Sequence, residues 1–462
     1  MAFIGPASKG PINTPAAFGR TTDLSLNFGD GPTVEAAGYV LTNTGKPVVI
    51  VRAETGATVP PSVGEVTQIG PGTAILTADA SSAPEDDYGY AIRVVAGGTL
   101  GTDPIQYQVS LDDGYNYGPY LQLEAIAGPP ATATIIIGAT TFNVAAGTMP
   151  QGTIYKATAI GPSIDGVTLA PALDALGLSQ LVWDQVVIVG DVTPELVGAI
   201  DLKIKGFAGR GKYRSWLGSA RVPEAEELES EYLADLSAAY IDAETVHGTV
   251  CAGAARVISG VSGRNYRRPV VFAVAGAQAA ASEEINTADV NIGALDGVSV
   301  RDRNGNIIEH DESATPGLDD ARFCVLRTWD GYPGVYINRP RLMAAPGSDF
   351  QIIPYRRVMN LGEAVLRNYF IRRLNRPIRV DTSTGFILEA DALEIEGGAT
   401  NALRSALLAK PKASGVQFTL SRTDNVLSTK TITGTARLIP LAYPEFVEVQ
   451  IGFYNPAMAF AA

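Results

Sequence analysis

The rhythm of apolar and polar positions along this chain changes several times. Ala2–Gly5 is a short apolar run. Val34, Ala37, Val40 and Leu41 then recur at helical spacing, with Asp30 or Gly31 ahead of Pro32 as the start and Gly45 and Pro47 as the stop. The run from Pro47 to Arg52 reads as a buried strand, so the chain opens β-α-β, the beginning of a mixed α/β domain. From about Val63 to Ile160 the helix pattern vanishes and short alternating runs replace it. Ile105, Tyr107, Val109 and Leu111 share one face of a strand, with Gln106, Gln108 and Ser110 on the other and Asp112-Asp113-Gly114 as turn chemistry. Ala133–Ile137, Thr141–Val144 and Thr153–Thr158 continue the alternation, which predicts an inserted all-β sandwich.

The α/β texture resumes at Gly161. Val186–Val189 reads as a buried strand, and Thr193-Pro194-Glu195 as a helix start. Val222–Ile241 predicts a long acidic amphipathic helix carrying Glu224, Glu226, Glu227, Glu229, Glu231 and Asp235. Val270–Val274 looks like a further core strand, and Phe323–Leu326 with Val335–Ile337 like a strand pair around Gly331–Gly334. Helical patterns follow over about Pro354–Leu374 and about Ala399–Lys410. The tail alternates at Val416, Phe418 and Leu420, over Thr431–Leu438, and again at Phe446, Val447, Val449 and Ile451, before ending in Pro456–Ala462. The expected fold is multi-domain α/β (mixed α+β). Its parts are 1–62, the first portion of the α/β core; 63–160, the sandwich; 161–330, the rest of the core; and 331–462, a C-terminal α/β domain ending in a strand arm.

Composition narrows the function classes. The chain has 462 residues and a formal net charge of −13, with 46% apolar and 18% charged residues, so it is globular and long enough for several domains. That acidity argues against wrapping nucleic acid, which needs a basic surface to neutralise phosphates. The longest apolar run, Val270–Ala281, falls short of the roughly 20 residues that span a bilayer. Two cysteines, Cys251 and Cys324, make no disulfide framework. With no secretory signal at the start, reduced thiols and assembly in the cytosol are the simpler expectation.

Candidate chemistry is sparse. Gly206–Lys212 matches most of G-x-x-x-x-G-K, but Tyr213 stands where Ser or Thr should hold magnesium, and the loop follows a helix pattern and precedes a strand-like run. A phosphate loop joins strand to helix, so a glycine-rich connection is the reading adopted. His247 and Cys251 sit four residues apart, too few ligands for zinc and without a nucleophile signature. Glu309-His310-Asp311-Glu312, beside the turn residues Asn304-Gly305-Asn306, reads as a solvated hairpin tip. No catalytic residue, metal site or cofactor site is therefore expected. One segment does stand out: Arg356, Arg357, Arg367, Arg372, Arg373, Arg376 and Arg379 face a single carboxylate, Glu363, between Pro354 and Val380. On an acidic chain this is a local reversal of sign. It suits either a solvated face paired with the acidic helix or a cationic ridge that docks on an acidic protein partner.

Several segments together resemble the sheath proteins of contractile phage tails and related injection machines. Phe3–Pro15 is similar to that family's strand followed by a Lys-Gly-Pro turn, and Leu26–Gly29 with Val34–Val51 to its next helix and strand. Gly331–Tyr336, Met343–Asp349 and Tyr355–Val358 look like its C-terminal region. The resemblance implies hexameric rings stacked as a helix around an inner tail tube, with baseplate and tail-terminator proteins as further partners, in a virion tail assembled in the host cytoplasm. It implies terminal arms that add strands to neighbouring subunits, and Phe446, Val447, Val449, Ile451 and Phe453 match the C-terminal arm. The family usually has a longer segment ahead of the Phe3-like strand, which leaves the N-terminal arm in question here. The basic helix, with Arg356, Arg357, Arg367, Arg372, Arg373 and Arg376, is where the resemblance and the charge place the tube contact, and the β insertion is expected to face outward. The competing readings are another tail, baseplate or lattice-forming structural protein, and a hydrolase.

Overall fold

A computed structural model describes residues 1–126, 130–224 and 227–452, and the chain divides into two compact units, 1–375 and 376–462. The first unit opens with β1 (Ala2–Gly5), β2 (Ala16–Phe18), α1 (Thr21–Phe28), α2 (Pro32–Thr44) and β3 (Val48–Arg52). A run of strands follows: β4 (Ser62–Val63), β5 (Thr67–Ile69), β6 (Leu76–Ala78), β7 (Gly89–Ala96), β8 (Gly98–Thr99), β9 (Ile105–Ser110), β10 (Leu121–Leu123), β11 (Ala125–Ile126), β12 (Thr132–Ile137), β13 (Thr140–Val144), β14 (Thr148–Met149) and β15 (Ile154–Ile160). The chain then returns through α3 (Gly166–Leu178), β16 (Gln185–Asp191), α4 (Pro194–Gly209), β17 (Ser215–Ser219), α5 (Glu229–Ala239), β18 (Gly248–Cys251), β19 (Ala254–Ile258), β20 (Asn265–Pro269) and α6 (Val271–Ala280). The unit closes with β21 (Val298–Ser299), β22 (Leu326–Trp329), β23 (Tyr332–Ile337) and α7 (Ile353–Ile371).

The core is a sheet ordered β18-β17-β16-β1-β3-β2, parallel throughout except for β2. Its strands read as near-continuous apolar runs because helices cover both faces. Alternation along β1 shows the split: Phe3 points into the layer with α1, α2 and α6, while Ala2 and Ile4 point into the layer with α3, α4 and α5. The α2 boundaries follow from local chemistry. Pro32 supplies a fixed φ at the first turn, and Gly45 ends the helix at φ 63, where its N–H donates to the Leu41 carbonyl.

The insertion is a sandwich with its own core. One sheet is ordered β10-β9-β7-β15-β4 and the other β11-β12-β13-β6. Between them Tyr90, Ile92, Ile135, Phe142 and Tyr155 are fully buried. Asp113 and Gly114 take φ of 59° and 86°, the left-handed pair that a tight turn after β9 demands.

Several expectations are corrected. Val270–Val274 belongs to helix α6, not to a strand; the apolar run continues through Ala275–Ala280, and alanine favours helix where apolarity alone cannot decide. Gly276 lets this helix approach the Tyr39 ring on α2, where a Cβ would overlap it. The acidic helix is shorter than expected, Glu229–Ala239, and Glu226 lies outside the described residues. Residues 331–375 pack within the first unit, with Val335, Ile337, Leu342 and Ile353 in the same core as Phe3 and Ile50.

The second unit holds α8 (Glu389–Leu407), β24 (Ala413–Leu420), α9 (Val426–Thr429) and β25 (Gly434–Pro440). α8 starts well before the expected Ala399. Its stripe Ala392, Ile395, Ala399, Leu403 and Leu407 is buried, and β24 packs beside it. Arg422 closes this unit by donating to both Glu389 (2.6 Å) and Glu396 (2.8 Å).

Candidate assembly surfaces

The basic helix α7 is divided into a buried and an exposed half. Ile353, Pro354, Val358 and Gly362 bury its N-terminal turns, and the helix period carries Arg356 and Arg357 inward with them. Arg356 donates from Nε to Asn360 Oδ1 (2.7 Å) and reaches Glu363 Oε2 (2.8 Å). Arg357 donates to the carbonyls of Gln278 (3.3 Å), Ala281 (3.2 Å) and Ser282 (3.2 Å), and approaches Asp184 (3.4 Å). These carbonyls end α6, so the guanidinium answers the partial negative charge of that helix terminus. Lys46 Nζ does the same at Ala279 O (2.6 Å). Arg356 and Arg357 thus hold the fold from inside, contrary to their expected place on an outer ridge. For Arg356 the short-range acceptors, Asn360 and Glu363 at i+4 and i+7, were the available signal; for Arg357 there was none.

Arg367, Arg372 and Arg376 are exposed, and Arg373 is half-buried over the Tyr369 ring at 5.0 Å. Arg367 rests on Gly211, at φ 77, where a Cβ would overlap its guanidinium. That contact brings the basic helix beside the glycine-rich loop, a juxtaposition the sequence does not reveal. The acidic helix takes its partner elsewhere: Arg221 pairs with Glu227 (2.5 Å) and Asp235 (3.4 Å).

The glycine-rich loop joins α4 to β17, the helix-to-strand order expected. Lys212 Nζ donates to Gly177 O (2.8 Å) and Ser179 O (2.6 Å) at the C-terminus of α3. Burial, with Arg214 and Arg210 nearby, lowers its pKa. Two of its three donors are thus directed at the protein. Cys251 ends strand β18 and His247 immediately precedes that strand, so the two are not on a helix. His247 Nδ1 meets Asp201 Oδ1 at 2.9 Å; Asp201 also accepts from Thr245 Oγ1 (2.5 Å) and pairs with Lys205 (2.7 Å). Burial pushes the Asp201 pKa up, but these three partners outweigh it and bring it down to about 2. Cys251 is fully buried beside Cys324, and burial pushes its thiol pKa well up.

Glu309–Glu312 is not a solvated tip: all four side chains are buried. Arg267 holds Glu309 through two bonds (2.6 and 3.0 Å), and His310 Nε2 meets Glu312 Oε2 (3.0 Å). Asp311 accepts from Thr328 and Ser313, and Glu312 from the Gly317 N–H. In both acids burial raises the pKa and these hydrogen bonds more than reverse it. The cluster ties 309–319 to the β22 region. Among the described residues no group of acids, histidines and cysteines is placed to hold a metal ion, and no helix is long and apolar enough to cross a membrane.

The C-terminal unit shows a different kind of site. β24 and β25 form an antiparallel pair, with Phe418 opposite Ala436 and Gln417 opposite Arg437. Ser421 N–H donates to Thr433 O, which fixes the alternation: Arg437 bonds to β24, while Gly434, Ala436 and Leu438 turn their N–H and C=O away from it. The far edge of β24 is partly covered, since the Phe418 and Leu420 N–H groups donate to Thr400 Oγ1 (3.3 Å) and Glu396 Oε1 (2.6 Å) of α8. The far edge of β25 is the one that faces outward. Downstream, residues 441–452 form no strand, although the sequence pattern suggested one. Phe446, Val447, Val449 and Ile451 are 78%, 78%, 70% and 94% exposed, an alternating apolar segment. Phe453, also assigned to the arm, lies outside the described residues.

Comparison with known proteins gives the lineage. No curated protein sequence matches the chain. The structure is similar to the contracted helical sheath of the anti-feeding prophage, at 11% identity and TM-score 0.51, covering 98% of this chain and 92% of that one. It also matches a sheath tail protein of Listeria innocua at 14% identity and TM-score 0.45, covering 96% and 95% of the respective chains. A sheath tail protein of Desulfitobacterium hafniense matches at 13% identity and TM-score 0.44, covering 95% and 96%. The family model described as "DUF2586, N-terminal domain" matches residues 1–341. The chain therefore belongs to the DUF2586 family, and its α/β core, inserted sandwich and C-terminal unit have the fold of a contractile-tail sheath protein.

Proposed function

We propose that this protein is the structural subunit of a contractile sheath. It polymerises as stacked hexameric rings around an inner tail tube, bounded by baseplate and terminator proteins, and contracts to drive the tube through a target envelope. The observation that carries the reading is the coexistence, on one chain, of an outward-facing β25 edge and an exposed apolar segment at 446–451. The segment fits as an added strand on a neighbour's β25, where main-chain hydrogen bonds attach it and alternate side chains set its register. A donor and an acceptor at different places on one chain make a head-to-tail contact, which closes into rings or continues as a helix. Contraction then draws on better packing between subunits, by rigid-body rotation about flexible arms, with no nucleotide consumed. The exposed Arg367 and Arg372 supply a basic surface that faces an acidic tube, with Arg373 beside Arg372 in sequence and Arg376 a further exposed cation at the start of the second unit.

Truncation after Glu445 tests the arm. The truncated chain should fold and remain a monomer where the full chain polymerises. Normal polymers from the truncated chain refute the arm assignment.

A further inference from the structure

The seam between the sandwich and the core differs in kind from both interiors. The sandwich core contains no residue outside the insertion, and neither core cluster contains a residue from it. Apart from one tilted ring contact, Tyr88 against Tyr266 at 6.0 Å, what joins them is mainly charge. Arg268 of β20 grips Asp86 through two bonds (2.7 and 2.6 Å), and Arg256 of β19 donates to Asp113 (2.6 Å). The Asn265 N–H donates to Asp112 Oδ2 (3.1 Å). The Tyr115 ring, on the turn after β9, lies against two guanidiniums, with Arg256 at 4.8 Å and Arg303 at 4.2 Å from its centroid. Arg303 also donates to the Tyr115 carbonyl. In each of these pairs the carboxylate comes from the sandwich and the guanidinium from the core. Beside this latch the seam leaves a cavity of about 250 Å³, lined by Glu35, Arg264 and Tyr266 of the core and by Glu85, Tyr90 and Ile137 of the sandwich.

The covalent link is a narrow stalk. Residues 53–61 lead out and 161–165 lead back, tied to each other at Gly56 N–H to Ser163 O (2.8 Å) and at Ala57 N–H to Asp165 Oδ2 (3.2 Å). An apolar seam resists opening because water must cover its surface. An ionic one does not: a buried ion pair is nearly balanced against the hydration both ions regain on separation. A separately cored domain on a narrow stalk, held by near-balanced charge across an imperfectly filled seam, is the arrangement that permits movement as a body.

We propose that the sandwich is a swinging domain, docked by a largely ionic latch that includes Tyr115 held against Arg256 and Arg303, and released as a unit when those contacts open. This device does not depend on the sheath reading. It operates in the single chain and serves any assembly in which the insertion must clear a neighbour.

Spin labels on Thr134→Cys of the sandwich and Leu202→Cys of the core, both exposed in the native protein, report the distance between the bodies; the two native cysteines are buried. The full-length protein should show one dominant distance at low salt. In about 1 M salt, where the Debye length shrinks to about 3 Å, the exposed Arg303 and the partly exposed Asp113 are screened and a second population should grow, although the buried Arg268–Asp86 pair is screened far less. In the R256A/R303A double variant that population should rise about tenfold, the loss expected for one cation–π clamp and one partly buried ion pair. Circular dichroism and thiol protection of Cys251 and Cys324 check that both bodies stay folded. Should the variant unfold, the salt titration of the unmodified protein still decides. A single unchanged distance across the salt range overturns the proposal, as does one in a folded R256A/R303A protein.

Discussion

Ala436→Pro separates folding from assembly at one atom. The Ala436 N–H points away from β24, so among the described residues its removal breaks no bond, and proline is tolerated on an edge strand. The cost to the folded monomer should stay below about 1 kcal/mol, within the range of surface substitutions. In the assembled state the same N–H would serve the incoming arm. Losing that bond, and keeping the strand at a distance with the ring, should cost about 1–3 kcal/mol per junction, or roughly tenfold to a hundredfold in each association step. Arg437→Pro is the internal control: its N–H bonds to β24, so it should destabilise the C-terminal unit by about 3 kcal/mol. Urea unfolding reads the monomer, and sedimentation with negative-stain imaging reads the polymer. If A436P polymerises as the unmodified chain does, the β25 edge is not the acceptor and the argument from strand alternation fails.

Arg357→Ala should destabilise the first unit by about 3 kcal/mol in urea unfolding, because it leaves the α6 carbonyls without their buried donor. The R372E/R376E variant should leave stability within about 0.5 kcal/mol and weaken co-sedimentation with an acidic tube partner, more so at low salt. Asp201 titrates at about 2, below the ordinary carboxylate range, so its contribution to stability is present above about pH 4 and fades as pH falls through the folded value. Asp201→Asn should therefore cost about 2 kcal/mol at pH 7 and almost nothing near pH 2, read as the difference between two unfolding series.

Legibility in the sequence followed the physics of each element. Val48–Arg52, Pro194–Gly209 and the alternating strands of the insertion were readable because period, cap and breaker agreed. The run after Val270 was not, since a helix buried on all sides looks like a strand until its length is weighed. Charge misled wherever burial was satisfied at long range. Glu309 is held by Arg267, forty-two positions away, and Arg357 by carbonyls seventy-five and more positions away. No local pattern records such partners. The candidate arm was legible as an alternating apolar tail; its acceptor was not, because the direction of the Ala436 N–H is set by a register with β24.

The most direct measurement is a cryo-EM reconstruction of the purified full-length protein, with and without a co-expressed tube partner. The account predicts striated hollow cylinders in which Val447, Val449 and Ile451 of one subunit lie as an added strand along β25 of its neighbour. Monodisperse single particles under every condition, or cylinders in which the outer edge of β25 stays bare, would contradict it.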